Sequence, residues 1–181
     1  MPLPREHRYT SEDYWNLPEG RRAELIDGQF YDMAPPSPMH QEISFQLSRV
    51  IGNYIEANGG ACKLYPAPFA VNLDANDKDW VEPDISVICD QSKLDDRGCK
   101  GAPDMVIEIV SPSSRKMDYF RKNALYSESG VLEYWIVDPD RERTTIYRYQ
   151  HDDVPVMVPF AEDARVGIFP GLAVNIGELL K

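Results

Sequence analysis

Three consecutive segments constrain this chain more than anything else in it: DMVIEIV at 104–110, MDYFRKNALYSESG at 117–130 and EYWIVD at 133–138. The outer two are apolar almost throughout, with acids as the exceptions. Strands covered on both faces of their sheet have that pattern. The middle segment is a helix candidate ending at Gly130. Strand, helix, strand implies a right-handed crossover between parallel neighbours. The fold class is therefore α/β, bordering on α+β: a mixed β-sheet flanked by helices.

The remaining elements fit around that unit. TSEDYWNLP opens a first helix, with Thr10 and Asp13 as a capping box in which Asp stands for Glu. In AELIDGQFYDM two short runs flank Asp27-Gly28, a hairpin turn because glycine accepts positive φ. Ser37 is a good N-cap and Pro38 suits the first position of a long helix. Ile43, Leu47, Val50, Ile51, Tyr54 and Ile55 give that helix one apolar face, and Asn58-Gly59-Gly60 ends it. ACKLYP, PFAVNL, DISVIC, TTIYRY and VPVMVPF complete the strand candidates. The acidic stretch LDANDKDW has Asp74 and Asn76 spaced as in a calcium loop, but Asp79 stands where such a loop needs glycine, so it reads as a solvated loop.

The 181 residues suit one domain spanning 1–181, and no repeat or linker divides them. No apolar run approaches the ~20 residues needed to cross a bilayer, and MPLPREHRY has no apolar core that would make it a secretory signal. A cytoplasmic protein with no membrane partner is expected. Cys62, Cys89 and Cys99 are odd in number, far apart and match no zinc spacing, so they are expected as reduced thiols. The net charge of −11 repels phosphate. A nucleic-acid partner would need a local basic patch, metal ions or weak binding.

The chemistry centres on two acids and a lysine. Asp84 opens an apolar strand after Pro83, and Glu108 interrupts the next strong one. A carboxylate in an apolar strand is costly unless paired or bound to metal. Two converging carboxylates suit Mg²⁺ or Mn²⁺, and such an ion can activate water against a phosphodiester. Asp118, Lys122 and Tyr126 recur every four residues and so share one helix face. A lysine there can orient water or steady the transition state.

These pieces carry a resemblance. Pro83-Asp84 followed by Glu108 in a strand resembles the PD-(D/E)XK nuclease core. ELIDGQFYDMAPPSPMH at 24–40, VEPDISVI at 81–88, the stretch from Ala102 to Tyr126 and GVLEYWIVDP at 130–139 are similar to the Uma2 family of restriction-endonuclease-like proteins. The resemblance implies an endonuclease-like fold, a divalent metal (Mg²⁺ or Mn²⁺) and hydrolysis of DNA. The usual core has lysine two positions after the second acid, where this chain has Val110. The resemblance implies a lysine supplied by the following helix, Lys122, with Lys116 as its competitor. Asp84 and Glu108 are then metal ligands and, with Lys122, catalytic. Glu24, His40, Asp118 and Tyr126 are supporting candidates.

Ordinary readings stand beside these. Asp84 can cap a turn, and Glu108 can pair with Arg115 or Arg121. Lys122 can make a surface pair with Asp118, worth only ~0.3–0.5 kcal/mol. Glu24 can be a strand-edge charge, and His40 a capping or packed residue. The leading expectation is a metal-dependent endonuclease. A homodimer is plausible, since two strand cuts need two sites. The first alternative is a non-catalytic nucleic-acid-binding or protein-interaction member of the same fold, favoured by the acidic charge and by Val110. The second is a two-carboxylate glycosidase, which requires a sugar cleft.

Overall fold

A computed structural model describes residues 7–151 and 153–181. The first six residues of the polar opening segment lie outside them. Short apolar runs between strong turn residues set the element order. α1 (Ser11–Trp15) is followed by β1 (Ala23–Ile26) and β2 (Gln29–Asp32), and then by α2 (Pro38–Asn58). β3 (Lys63–Pro66), β4 (Val71–Asn72), β5 (Ile85–Ile88), β6 (Leu94–Asp95), β7 (Gly98–Lys100) and β8 (Met105–Ile109) come next. α3 (Asn123–Ser129), β9 (Glu133–Asp138), β10 (Arg143–Arg148), β11 (Val156–Pro159), β12 (Ala164–Arg165), β13 (Ala173–Val174) and α4 (Ile176–Leu179) complete the chain.

The local signals act as expected. The Asp13 carboxylate accepts from the Thr10 N–H at 2.8 Å and from its hydroxyl at 3.1 Å. Asp27 and Gly28 both take positive φ, the twist a two-residue hairpin turn needs. Ser37 accepts the His40 N–H, and Gly59 closes α2 in the left-handed conformation.

The central sheet has six strands in the order β11-β10-β9-β8-β5-β3. Only β8 and β9 run parallel, which is the crossover expected from the strand–helix–strand pattern. Alternation divides the sheet into two faces. Met105, Ile107, Ile109, Trp135 and Val137 pack with Ile43, Leu47 and Ile51 of α2. Each of these three α2 residues is at most 1% exposed, and each such burial contributes roughly 1.5–3 kcal/mol. Val106, Val110, Tyr134 and Ile136 face the other way, against Tyr126 of α3 and Ile26 of the β1–β2 hairpin. With both faces covered, β8 and β9 are buried along their whole length. Among the described residues no helix is long and apolar enough to cross a membrane.

Three expectations are corrected. The segment before α3 is not α-helical: Met117–Lys122 forms a π-helical turn that runs into it. Cys62 and Cys89 are not free thiols but a disulfide, and only Cys99 is free, buried in the core. The β3–β5 register pairs Lys63 with Ile88, so one step further sets Cys62 opposite Cys89. The loop at 73–80 is not wholly solvated, since Asp79 is 2% exposed. Its carboxylate accepts the Asp27 N–H at 2.7 Å and the Asn76 side-chain amide at 2.8 Å, which ties the loop to the hairpin turn.

Candidate functional site

The site grows from the sheet register. β5 pairs antiparallel with β8 through Ile85↔Ile107. One step beyond, Asp84 stands opposite Glu108, and directly opposed residues point their side chains to the same face. The Ile109 N–H donates to Asp84 Oδ2 at 2.7 Å, so a backbone bond fixes the carboxylate across the end of the pair. On the face shared by Asp84 and Glu108 lie the hairpin, the π turn and α3.

Lys122 comes off that turn and is 5% exposed at its side chain. Its ammonium donates to Glu108 Oε1 and to Glu24 Oε1, both at 2.9 Å, and stands 3.8 Å from Asp118 Oδ1. A lysine has three hydrogens to donate, and these bonds use two. Tyr126 donates its hydroxyl to the same Glu108 oxygen at 2.6 Å. The Glu82 N–H donates to Glu24 at 2.9 Å, and the Ser114 hydroxyl donates to Asp118 at 2.6 Å. His40, in the first turn of α2, places Nε2 3.1 Å from Asp84 Oδ2. Asp84 and His40 form the accessible lip, at 16% and 14% side-chain exposure, and Lys122 with Glu108 lies behind it.

The electrostatics follow from one imbalance. Glu24, Asp84, Glu108 and Asp118 surround a single ammonium and one imidazole. Burial pushes the Glu108 carboxyl well above its usual range; Lys122 opposes this, while Asp118, Asp84 and Glu24 add to it. Burial likewise raises the Asp118 carboxyl to about 6, against the pull of Lys122 and Ser114. Burial works against a charged Lys122, but Glu108, Glu24 and Asp118 outweigh it and hold the ammonium protonated. Lys122 stays charged, and burial, reinforced by the neighbouring carboxylates, is what favours the protonated form of Glu108 and Asp118. Burial also lowers the His40 imidazole, but the hydrogen bond and charge of Asp84 carry it above its ordinary value. Burial and the Glu108 charge keep the Tyr126 hydroxyl protonated and donating.

Carboxylate oxygens are the donor type that a hard divalent cation takes. No group of three or more His, Cys, Asp or Glu among the described residues is arranged to hold a metal. What the site offers is a pair of carboxylates opposed across the β5–β8 register, Asp84 at the accessible lip and Glu108 buried behind it, each with one oxygen engaged by the chain. That suits an ion that keeps several waters and binds through one or two carboxylates. Strand alternation also turns the Ile109 carbonyl toward the Asp84 side, where Pro83 has no N–H to offer it.

The structure therefore brings Asp84, Glu108, Lys122, Glu24, Asp118, Tyr126 and His40 into one cluster. Several ordinary readings do not survive. Arg115 pairs with Asp138 and Asp140, and Arg121 lies over the Tyr31 ring, so neither partners Glu108. Lys122 is buried rather than a surface mate of Asp118. Lys116 is exposed and outside the cluster. Sequence reasoning missed Ser114, Ile109 and Tyr134, whose hydroxyl donates to the Asp118 carbonyl. Only Ser114 left a signal, four residues before Asp118.

A mixed sheet carrying two acids on neighbouring strands, with a lysine from the crossover helix, defines a restriction-endonuclease-like protein. The chain belongs to the Uma2 family: residues 11–177 match its model, described as "Putative restriction endonuclease". It is 28% identical over 155 residues to the uncharacterized protein slr1290 of Synechocystis sp., covering 84% of this chain and 78% of that one. A second Synechocystis protein, the uncharacterized sll1609, is 24% identical over 133 residues, covering 72% and 71%. The fold is similar to the crystal structure of a putative nuclease belonging to DUF820 from Anabaena variabilis. The TM-score is 0.76 and the identity 21%, over 94% of this chain and 96% of that chain.

Proposed function

We propose that this protein is a divalent-metal-dependent endonuclease that hydrolyses phosphodiester bonds of DNA. The observation that carries the reading is the convergence of Asp84, Glu108 and Lys122 on one side of the β5–β8 pair, within a nuclease-like family. Asp84 and Glu108, with the Ile109 carbonyl beside them, would hold Mg²⁺ or Mn²⁺. When bound, such an ion acidifies water and neutralises charge on a phosphoryl oxygen.

The chain's own residues do the rest. Ile109 and His40 fix one oxygen of Asp84, leaving the other to face the ion. Tyr126 and Lys122 fix one oxygen of Glu108 in the same way. The third hydrogen of the Lys122 ammonium, which the bonds to Glu108 and Glu24 do not use, would orient the attacking water or steady charge as it develops on the phosphoryl group. Glu24 and Asp118 hold that ammonium charged and in place. For duplex DNA a homodimer would supply one such site per strand.

A second reading has one observation in its favour. Lys122 and Glu108 are buried and bonded to each other, as in an ion-pair network that only joins hairpin, sheet and helix. Such a member of the fold would bind nucleic acid without cutting it. The discriminating experiment incubates supercoiled plasmid with the protein in Mg²⁺ or Mn²⁺, with and without chelator, beside the Asp84→Ala, Glu108→Ala double variant. Metal-dependent nicking that the variant loses is expected. Folded wild type that cuts with neither ion, or a variant that cuts as well as wild type, would overturn the endonuclease.

A further inference from the structure

Arg121 and Tyr31 have no part in the chemistry above, yet the fold sets them at its edge. Tyr31 stands opposite Glu24 in the β1–β2 register, so the two side chains leave the hairpin on the same face. Glu24 reaches inward to Lys122. Tyr31 instead lies beneath the guanidinium of Arg121, whose Cζ is 4.9 Å from the ring centroid. Arg121 is the chain neighbour of Lys122, but it is exposed where Lys122 is buried. The pair lines a cleft of about 590 Å³ between the hairpin and α3, with Ile26, Gln29 and Leu125 among its walls.

Charge accounting separates Arg121 from the other arginines of the hairpin and of the crossover segment. Arg22 is held by Glu82, Arg115 by Asp138 and Asp140, and Lys122 by Glu24 and Glu108. Arg121 has no carboxylate partner among the described residues. Of the acids in the cleft, Asp27 is paired with Arg8 and Lys78, and Asp79 turns inward to the Asp27 N–H and Asn76. Glu128 is the one left without a cation. A guanidinium stacked on an aromatic ring has already given up much of its rotamer freedom, and its N–H fork remains open to an anion. In a chain of net charge −11 with four acids at its site, a fixed cation beside them is what a polyanion requires.

We propose that Arg121, seated on Tyr31, binds a backbone phosphate of a nucleic-acid strand next to the phosphate engaged at the Asp84–Glu108–Lys122 site. The inference rests on the phosphodiesterase reading and adds the residue that grips the strand outside the chemistry.

The test measures fluorescence anisotropy of labelled 20-nucleotide single-stranded and duplex DNA in Ca²⁺ over a range of salt, so that binding is read without cutting. Arg121→Ala should weaken binding roughly tenfold and lower the salt slope by about 0.7 to 0.9, the value of one phosphate contact. Arg165→Ala, which removes the same charge from the β12–β13 hairpin, should leave the slope in place. Tyr31→Ala should weaken binding while Tyr31→Phe, which keeps the ring, should not. If wild type binds and Arg121→Ala matches it in affinity and slope, the phosphate contact is refuted and the endonuclease reading stands. If folded wild type binds neither DNA at low salt, that reading falls, and this inference with it.

Discussion

Glu108 and Glu133 sit on neighbouring strands of one sheet, 4% and 1% exposed, and they are buried for opposite ends. Glu133 is satisfied by neutral N–H donors: the Trp135 indole at 2.6 Å, the Gly167 amide at 3.0 Å and the Ile168 amide at 2.9 Å. Arg148 stands opposite it in the β9–β10 register, and the carboxylate's bonds draw the 167–168 turn against the sheet. Glu108 receives a buried ammonium and a phenol, in the company of three more acids. A carboxylate surrounded by N–H donors is complete. One set among other carboxylates around a single cation holds surplus negative charge, the condition under which a metal ion is welcome. Burial alone therefore does not mark a functional acid; the sign of what surrounds it does.

The largest effects that could break this contrast belong to the cation. Lys122→Met should reduce single-turnover cleavage on the order of 10²-fold or more, as loss of a transition-state donor does. At pH 7 it should also lower stability by about 3–5 kcal/mol, because Glu24 and Glu108 lose their buried partner. Glu108→Gln keeps the shape and should abolish cleavage with a smaller loss of stability. Near wild-type cutting by either variant would return the cluster to the same structural standing as Glu133.

A pH titration sharpens the contrast next. The Asp118 carboxyl is held at about 6, above its ordinary 3.8, so the folded state binds that proton more tightly than the unfolded chain. Protonation then favours folding. Stability contributed by this group should rise as pH falls from about 6 to about 4, and stay level outside that window. Asp118→Asn should be more stable than wild type at pH 7 and lose that slope, as read from urea midpoints across pH. Parallel curves for the two proteins would show that Asp118 carries no excess charge.

The reciprocal change is smaller in reach. Glu133→Gln turns an amide toward N–H groups that need an acceptor, which should cost roughly 1–3 kcal/mol. Gly167→Ala attacks the same contact from the other side, since its Cβ would lie 2.7 Å from Glu133 Oε2 and 2.8 Å from Arg148 Nε. Overpacking of that kind costs about 1–3 kcal/mol. Both should lower the midpoint of chemical denaturation and leave cleavage per folded molecule as it was. A selective loss of cleavage at unchanged stability would erase the distinction between the two acids.

Much of this contrast is legible in the sequence. An acid in a run as apolar as VIEIV shows Glu108, Pro83-Asp84 places its partner at a strand start, and a period of four groups Asp118, Lys122 and Tyr126. That grouping holds for a reason periodicity does not supply. In an α-helix each step of four overshoots a full turn by about 40°, whereas a turn closed by i→i+5 bonds contains more residues and undershoots. The π turn at 117–122 followed by α3 offsets one drift with the other, so the three side chains meet. His40 at Asp84 and the Cys62–Cys89 bridge depend on how α2 and β3 dock against β5, a long-range pairing that spacing along the chain does not encode. Glu133 is the converse case: sequence marks it as an acid in an apolar strand, just as it marks Glu108, and the N–H donors of Trp135 and of the 167–168 turn tell them apart.

The smallest expected effect is the one that fixes which lysine matters. Lys116 lies six residues before Lys122 and precedes the π turn, where it is exposed. It makes no ion pair or side-chain hydrogen bond among the described residues, so its removal leaves no buried group without a partner. Its field on the site passes through solvent and is screened over about 8 Å at physiological ionic strength. Lys116→Ala should stay within about 0.5 kcal/mol of wild-type stability, as surface substitutions do, and within about twofold in single-turnover cleavage at 0.15 M salt. Circular dichroism and the same cleavage assay used for Lys122→Met read both. A loss at Lys116 comparable to that at Lys122 would mean that the working lysine enters from the helical residues just before the π turn. The buried ammonium would then be a structural partner of Glu108 and Glu24, much as the N–H groups are for Glu133.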